Sequence, residues 1–224
     1  DLDQALASYF GLAKAQGSYV FVDGAHSAGQ FPIDVHALGC DAYGLVGYKW
    51  LMCPYPSAAL YVSRAMLERI EVTWCGSNMT KGGSVTMGPE DLHWIDGARR
   101  FEYGGRTHSY DTAMVTGLAY VERLGIDNVM AHARGLTAYF HDALQGVPGA
   151  EIHSPRNLDA ATGINTISLA NIDGVALSAA LRERWNLGQR PALRGTTVRI
   201  SLAAFIETRD VDFLVECLTT LART

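Results

Sequence analysis

Asp23, His26 and Lys49 are residue types that can do carbonyl and proton chemistry, and each stands beside an apolar run near the start of the chain. Asp23 closes the run Tyr19-Val20-Phe21-Val22, His26 follows shortly after, and Lys49 comes just past Ala42-Tyr43-Gly44-Leu45-Val46-Gly47. A lysine amine condenses with an aldehyde only in its neutral form, and apolar neighbours such as Val46 and Trp50 favour that form. A carboxylate such as Asp23 keeps a pyridine nitrogen protonated, which makes the ring an electron sink. His26 could hydrogen-bond a phenolic oxygen on that ring or stack beside it. The combination suits pyridoxal 5'-phosphate as cofactor. On these residues alone a plainer alternative stays open. An aspartate after a strand is often a turn former or a helix cap, and a lysine beside an aromatic is often a solvated surface group.

The surrounding elements must bring these groups together. Both apolar runs are short, continuous and followed by glycine or turn residues, the pattern of strands buried in a parallel sheet. In open α/β sheets, ligands sit beyond the carboxyl ends of the strands. Asp23 and Lys49 can therefore converge although they are far apart in sequence. A third run of the same kind covers residues 58–62, and Ser63 then opens a helix around Met66, Leu67 and Ile70. Ahead of the first run, Leu2, Leu6, Phe10 and Ala13 recur at helical spacing until Gly17. Residues 72–100 show little periodicity and read as an irregular excursion.

Helices are expected after Asp111, Asp127 and Asp173, each aspartate standing where an N-cap is wanted. A last helix follows Thr208, with Val211, Leu214, Val215 and Leu218 on one face. Strands are expected at 164–170 and 197–202. The pattern is an α/β fold with a mainly parallel sheet first and an α+β module last. We place the boundary at residues 125 and 126, giving domains 1–125 and 126–224.

Composition narrows the function classes. The 224 residues are 48% hydrophobic and 18% charged, enough for a real core. A net charge of −5 and the lack of a lysine/arginine run argue against nucleic acid or an anionic membrane surface as partner. No apolar stretch is long enough to span a bilayer. The start, Asp1-Leu2-Asp3-Gln4, has no signal-peptide pattern and no initiator methionine, and reads as the continuation of a longer chain. Cys40, Cys53, Cys75 and Cys217 show no C-x-x-C spacing and no nearby histidine at zinc-finger spacing, so no metal is expected. They read as reduced, mostly buried thiols of a cytoplasmic protein.

Further segments carry a family resemblance. Val22-Asp23-Gly24-Ala25-His26-Ser27-Ala28-Gly29, then Asp34-Val35, then Gly47-Tyr48-Lys49-Trp50 resemble the class V aminotransferases. That family includes cysteine desulfurases, isopenicillin N epimerase-like proteins, kynureninases and C–S lyases. Its fold is the fold-type I architecture of pyridoxal-phosphate enzymes, of which this chain resembles part of the large domain and the small domain. Phe101-Glu102-Tyr103-Gly104 is similar to a family segment that reaches the partner subunit's cofactor phosphate. Val198-Arg199-Ile200-Ser201 is similar to the family's V-R-[AI]-S.

The resemblance implies Lys49 as the catalytic and cofactor-binding lysine, with Asp23, His26 and Tyr48 also on the cofactor. Arg106 and Thr107, just after the Phe101–Gly105 segment, are weaker candidates for its phosphate across a dimer interface, a solvated loop being the alternative. It implies Arg199 as the clamp for an amino-acid substrate's carboxylate. Arg194 is a weaker candidate for a second carboxylate contact. Trp74 and Trp94 could line a pocket or simply pack, and His36, His93, His132, His141 and His153 read as structural or surface residues.

Departures from the family pattern shape the expected reaction. Val46 stands where many desulfurases have a phosphate-binding serine, and Pro54-Tyr55-Pro56 stiffens the loop after the lysine. Residues 186–197, the stretch that carries the mobile nucleophilic cysteine in desulfurases, contain no cysteine. Cys217 lies in the last helix and reads as core. A β-eliminating C–S lyase, or a desulfurase-like lyase, is therefore expected. An epimerase or aminotransferase is the alternative within the family, and a non-catalytic half-enzyme subunit the alternative outside it. Family chains are nearly twice as long as this one. A homodimer, or a complementing chain supplying the N-terminal half, is therefore the expected partner.

Overall fold

A computed structural model describes residues 2–76, 79–81, 93–105 and 107–224, with side chains from Leu6 onward. The chain divides into two compact units, Asp3–Arg123 and Leu124–Thr224.

In the first unit, helix α1 (Leu2–Ala15) leads through Gly17, at φ +75°, into strand β1 (Phe21–Asp23). A short helix, α2 (Val35–Leu38), precedes β2 (Ala42–Val46), and β3 (Ala58–Val62) follows. The sheet order is β1-β2-β3. Strands β1 and β2 pair in parallel, with Asp23 opposite Gly44, whereas β3 runs antiparallel to β2, with Ala58 opposite Val46. Among the described strands this sheet is thus mixed, not mainly parallel. The cause is the short connection. A parallel return needs a crossover of a dozen or more residues, usually helical, and residues 47–57 form only turns.

Val20, Cys40 and Tyr43 are the buried centre of this unit, with Phe10, Ala13, Val22, Leu38 and Leu45 packed on them. Asp41 ties its pieces together. Its carboxylate accepts the Val20 N–H at 2.8 Å and pairs with Lys14 of α1 at 3.0 Å. Burial works against its charge, but the Val20 hydrogen bond and the Lys14 ammonium outweigh it and hold the Asp41 carboxyl below the usual carboxylate range.

After β3, Ser63 caps α3 (Arg64–Leu67) through its hydroxyl, which accepts the Met66 N–H. This helix is a single turn and does not extend to Ile70. Helix α4 (His108–Leu124) begins ahead of Asp111, and α5 (Ile126–Leu144) begins at Gly125, whose φ of +80° turns the chain directly from one helix into the next. Asp111 and Asp127 are therefore first-turn residues rather than caps. There their charge complements the helix dipole. Asp173 does cap α6 (Gly174–Trp185), accepting the Val175 and Ala176 N–H groups at 2.8 and 3.0 Å.

The second unit carries a four-stranded antiparallel sheet in the order β4-β5-β7-β6. Its strands are β4 (Ala150–Ile152), β5 (Ile164–Leu169), β6 (Arg190–Ala192) and β7 (Thr197–Ser201). Helices α5, α6 and α7 (Thr208–Ala222) share one core with it. Phe140, Ile167, Leu177, Leu181, Val198, Val211 and Leu218 are fully or almost fully buried there. A polar chain crosses this core. His141 bonds Asn165 Oδ1 at 2.7 Å, the Asn165 amide donates to Thr137, and the Thr137 hydroxyl donates to the Thr162 carbonyl. Every member is satisfied, so the network ties α5 to β5 without an orphaned group. Cys217 is buried on α7, and burial pushes its thiol pKa up, as it does for Cys40 and Cys53. Cys75 is exposed.

The Asp41 bridge gives a pH test. A carboxyl whose pKa is lowered by folding stabilises the fold above its unfolded value, near 3.8, and that contribution fades as pH falls through the folded value. Asp41→Asn should cost about 2 kcal/mol at pH 7, the scale of a charge-assisted hydrogen bond. Denaturant unfolding curves should show this gap between the parent and D41N closing below about pH 4.

Candidate functional site

The parallel pairing of β1 and β2 puts their carboxyl ends side by side, with Asp23 at the end of one and Lys49 just past the end of the other. From Asp23 the chain turns at once. Asp23 Oδ1 accepts the Ala25 N–H at 3.0 Å and Ser27 N–H bonds the Gly24 carbonyl, so the turn brings His26 back over the end of β2. Gly29, at φ +92°, allows the close approach, since a Cβ there would come within 2.6 Å of the Trp50 carbonyl carbon. On the other side, Gly47 packs against Ser57 and Cys53, where its N–H bonds the Ser57 carbonyl and its own carbonyl accepts from Cys53. These bonds fold residues 47–53 into the tight turn that presents Lys49.

Within this frame His26 bridges two neighbours. The Trp50 indole donates to His26 Nδ1 at 3.2 Å, and Lys49 Nζ lies 3.2 Å from His26 Nε2. An indole N–H can only donate. His26 Nδ1 must therefore accept, and the neutral imidazole carries its hydrogen on Nε2. Nε2 is the ring nitrogen that faces Lys49 Nζ. Trp50, His26 and Lys49 thus form one hydrogen-bonded chain, with the lysine amine at its end. Trp50 was read from sequence only as an apolar wall. Its part in fixing the imidazole is a site role that spacing does not reveal, because it depends on the turn at 24–30 folding back.

The other candidates are less closely gathered. Asp23 is exposed in this chain rather than buried as a ring-nitrogen partner would be, and its Oδ2 has no partner among the described residues. Its carboxylate forms the turn that the plainer reading anticipated while leaving one oxygen open. Tyr48 is 37% exposed and its ring meets Tyr55 edge-on at 4.8 Å. Thr107 is exposed just before α4, and its carbonyl accepts the Tyr110 N–H. Arg106 lies outside the described residues.

Arg199 belongs to the second unit, on β7, where it is half-buried opposite Thr166 and Arg190. It lines a polar cavity with Arg182 and Arg190, neither of which was singled out from sequence. Arg194, the weaker sequence candidate, does not line that cavity, and is exposed at φ +60°. Trp74 is exposed and its ring lies 6.4 Å from that of Tyr103. Among the described residues there is no group of three or more histidine, cysteine or acidic side chains that could hold a metal.

The aminotransferase class-V family model matches residues 4–214. The chain belongs to the class-V aminotransferase family. A cysteine desulfurase of Haloferax volcanii is 30% identical, over 92% of this chain and 50% of that protein. A solved apo cysteine desulfurase of Thermococcus onnurineus NA1 superposes with a TM-score of 0.87 at 20% identity, covering 97% of this chain and 56% of that one. The cystine C–S lyase C-DES, solved with its product cysteine persulfide, superposes with a TM-score of 0.79 at 21% identity over 90% of this chain and 52% of its own. The fold is thus that of part of a fold-type I enzyme. The chain spans about half the length of the relatives it matches.

The donor chain is testable without any ligand. Trp50→Phe should remove the donor that holds Nδ1 as acceptor, so nitrogen-15 NMR of the His26 ring should move from a single Nε2–H tautomer to a mixture. The cost in stability should be about 1 kcal/mol, one hydrogen bond's worth. Gly29→Ala, which forces the turn away from Trp50, should cost about 1–3 kcal/mol and disturb the same resonances.

Proposed function

We propose that this chain carries the lysine-bearing part of a pyridoxal-phosphate-dependent enzyme that acts on an amino acid as a β-eliminating C–S lyase. The observation that carries this reading is the hydrogen-bonded chain that joins Trp50, His26 and Lys49. It places a held lysine amine beside the carboxyl ends of two parallel strands. The residues fit the cofactor chemically. Lys49 Nζ would hold its aldehyde carbon, the open Oδ2 of Asp23 would hold the proton of its ring nitrogen, and the His26 ring would flank it. The Tyr48 hydroxyl offers a donor to phosphate, which Val46 cannot, and Arg106 with Thr107 would serve a phosphate across a subunit interface.

When bound, pyridoxal phosphate supplies an electron sink for bond-breaking at the substrate's α-carbon. The protein's own groups then have defined tasks. Arg199 grips the α-carboxylate through its guanidinium fork. Lys49 Nζ would take the α-proton, with the His26 ring beside it as its neighbour. The sulfur leaves from the β-carbon without passing to a protein thiol. Residues 186–197 contain no cysteine, and Cys217 is buried, where burial pushes its thiol pKa up. These two facts favour a lyase over a persulfide-forming desulfurase.

A partner is part of the proposal: a second copy, or a chain supplying the half of the relatives' length that residues 1–224 do not match. Among the described residues, β1 is an edge strand, and Phe21 on it is 65% exposed while Leu60 on β3 is 49% exposed. Such an apolar face and open edge suit further strands packing onto this sheet. No helix among the described residues is long and apolar enough to cross a membrane.

The test begins with colour. The purified protein, with any co-purifying partner, should gain the visible absorbance of a lysine-linked pyridoxal cofactor, and Lys49→Ala should abolish it. Trp50→Phe should weaken cofactor binding by about fivefold, the equivalent of one lost hydrogen bond. Incubation with sulfur amino acids should release a keto acid. Protein that stays colourless supports a non-catalytic subunit instead. Racemisation or amino transfer without keto-acid release identifies an epimerase or aminotransferase.

A further inference from the structure

The antiparallel pairing of β6 with β7 sets Arg190 directly opposite Arg199. Like charges directly opposite on one sheet face repel each other. Arg182, from the last turn of α6, joins them in lining a polar cavity of about 220 Å³, together with Gln189 and Ser201. None of the three arginines has an ion-pair partner among the described residues, although Lys14, Lys81, Arg99 and Arg209 all find carboxylates. The cluster is also held in place. Gln189 is buried and its amide donates to the Ser178 carbonyl of α6 at 2.7 Å, which fixes the residue just before Arg190. Three gathered and uncompensated guanidinium groups favour an anion that can take more than one fork.

We propose that this cavity binds a small molecule with two acidic groups, Arg199 holding one and Arg190 with Arg182 holding the other. A single carboxylate occupies one guanidinium fork and leaves the rest of the positive charge unmet. The assignment of Arg199 to the α-carboxylate rests on the function proposed above. Combined with it, the cavity selects an amino acid whose side chain ends in a second acid. The sequence does not disclose this. Arg190 becomes a partner of Arg199 only through strand register, and Arg182 reaches the same cavity from a helix.

The experiment uses the full chain without cofactor and three probes at constant ionic strength: succinate, butyrate and inorganic phosphate. Binding is read from nitrogen-15 NMR of the arginine side chains. Succinate should bind at least about tenfold more tightly than butyrate, one arginine-carboxylate interaction being worth that factor. Arg190→Gln should bring succinate down to the butyrate level while leaving butyrate unchanged, and Arg199→Gln should weaken both. Arg182→Gln, on the helix, repeats the Arg190 test should the edge strand not tolerate substitution. Equal affinity for succinate and butyrate, indifference of succinate binding to both R190Q and R182Q, or phosphate binding more tightly than succinate would each overturn the proposal. A protein that never takes up cofactor yet discriminates succinate in this way refutes the enzyme reading and leaves the two-acid cavity standing.

Discussion

The parallel contact between Phe21–Asp23 and Ala42–Gly44 sets where every candidate group of the first unit can stand. Two strands running the same way end on the same side of a sheet, so whatever follows them must turn away from that shared edge. Here one chain end turns at Asp23 and the other at Gly47, and both turns fold inward until His26 meets Lys49 and Trp50. The contact itself is underwritten by Asp41, which reaches the residue before β1 and the helix ahead of it. A carboxylate with no chemical role thereby governs the spacing of the groups that would have one.

The second unit solves a different problem. Its helices pack on one face of an antiparallel sheet, and the arginines proposed to meet a ligand lie on the other face or gather at its β6 edge. Burial alternates along β5, with Asn165, Ile167 and Leu169 buried and Ile164, Thr166 and Ser168 only partly so. Along β7, Val198 and Ile200 enter the core while Arg199 between them stays half-exposed. The core therefore fixes Arg199 by packing its neighbours, a rigid mounting for the side chain proposed as a carboxylate clamp.

Much of this was legible from sequence because apolar runs and caps are local signals. Strands β2, β3, β5 and β7 announce themselves by continuous or alternating apolar residues, and Asp173 by its place before α6. Strands β4 and β6 were not legible, since three residues are too few to show a period. The antiparallel direction of β3 was written in the length of its connection, not in its composition. Aspartates 111 and 127 misled because an acidic residue suits the first turn of a helix as well as its cap. In the site, residue types pointed to Asp23, His26 and Lys49. The Trp50 indole and the Arg182–Arg190–Arg199 cluster depend on a returning turn and on strand register, which single-residue patterns do not carry.

The open side of β1 has a meaning beyond the site. Among the described residues β1 is paired on one side only, and such an edge flanked by an exposed phenylalanine is a template on which an extended chain can settle. Sheets usually guard such borders with lysine, proline or a bulge, and Tyr19-Val20-Phe21-Val22 contains none of these. This stretch has the composition of an aggregation-prone segment. An extended segment laid along that border would complete the hydrogen bonding of the described sheet and cover Phe21 in one step.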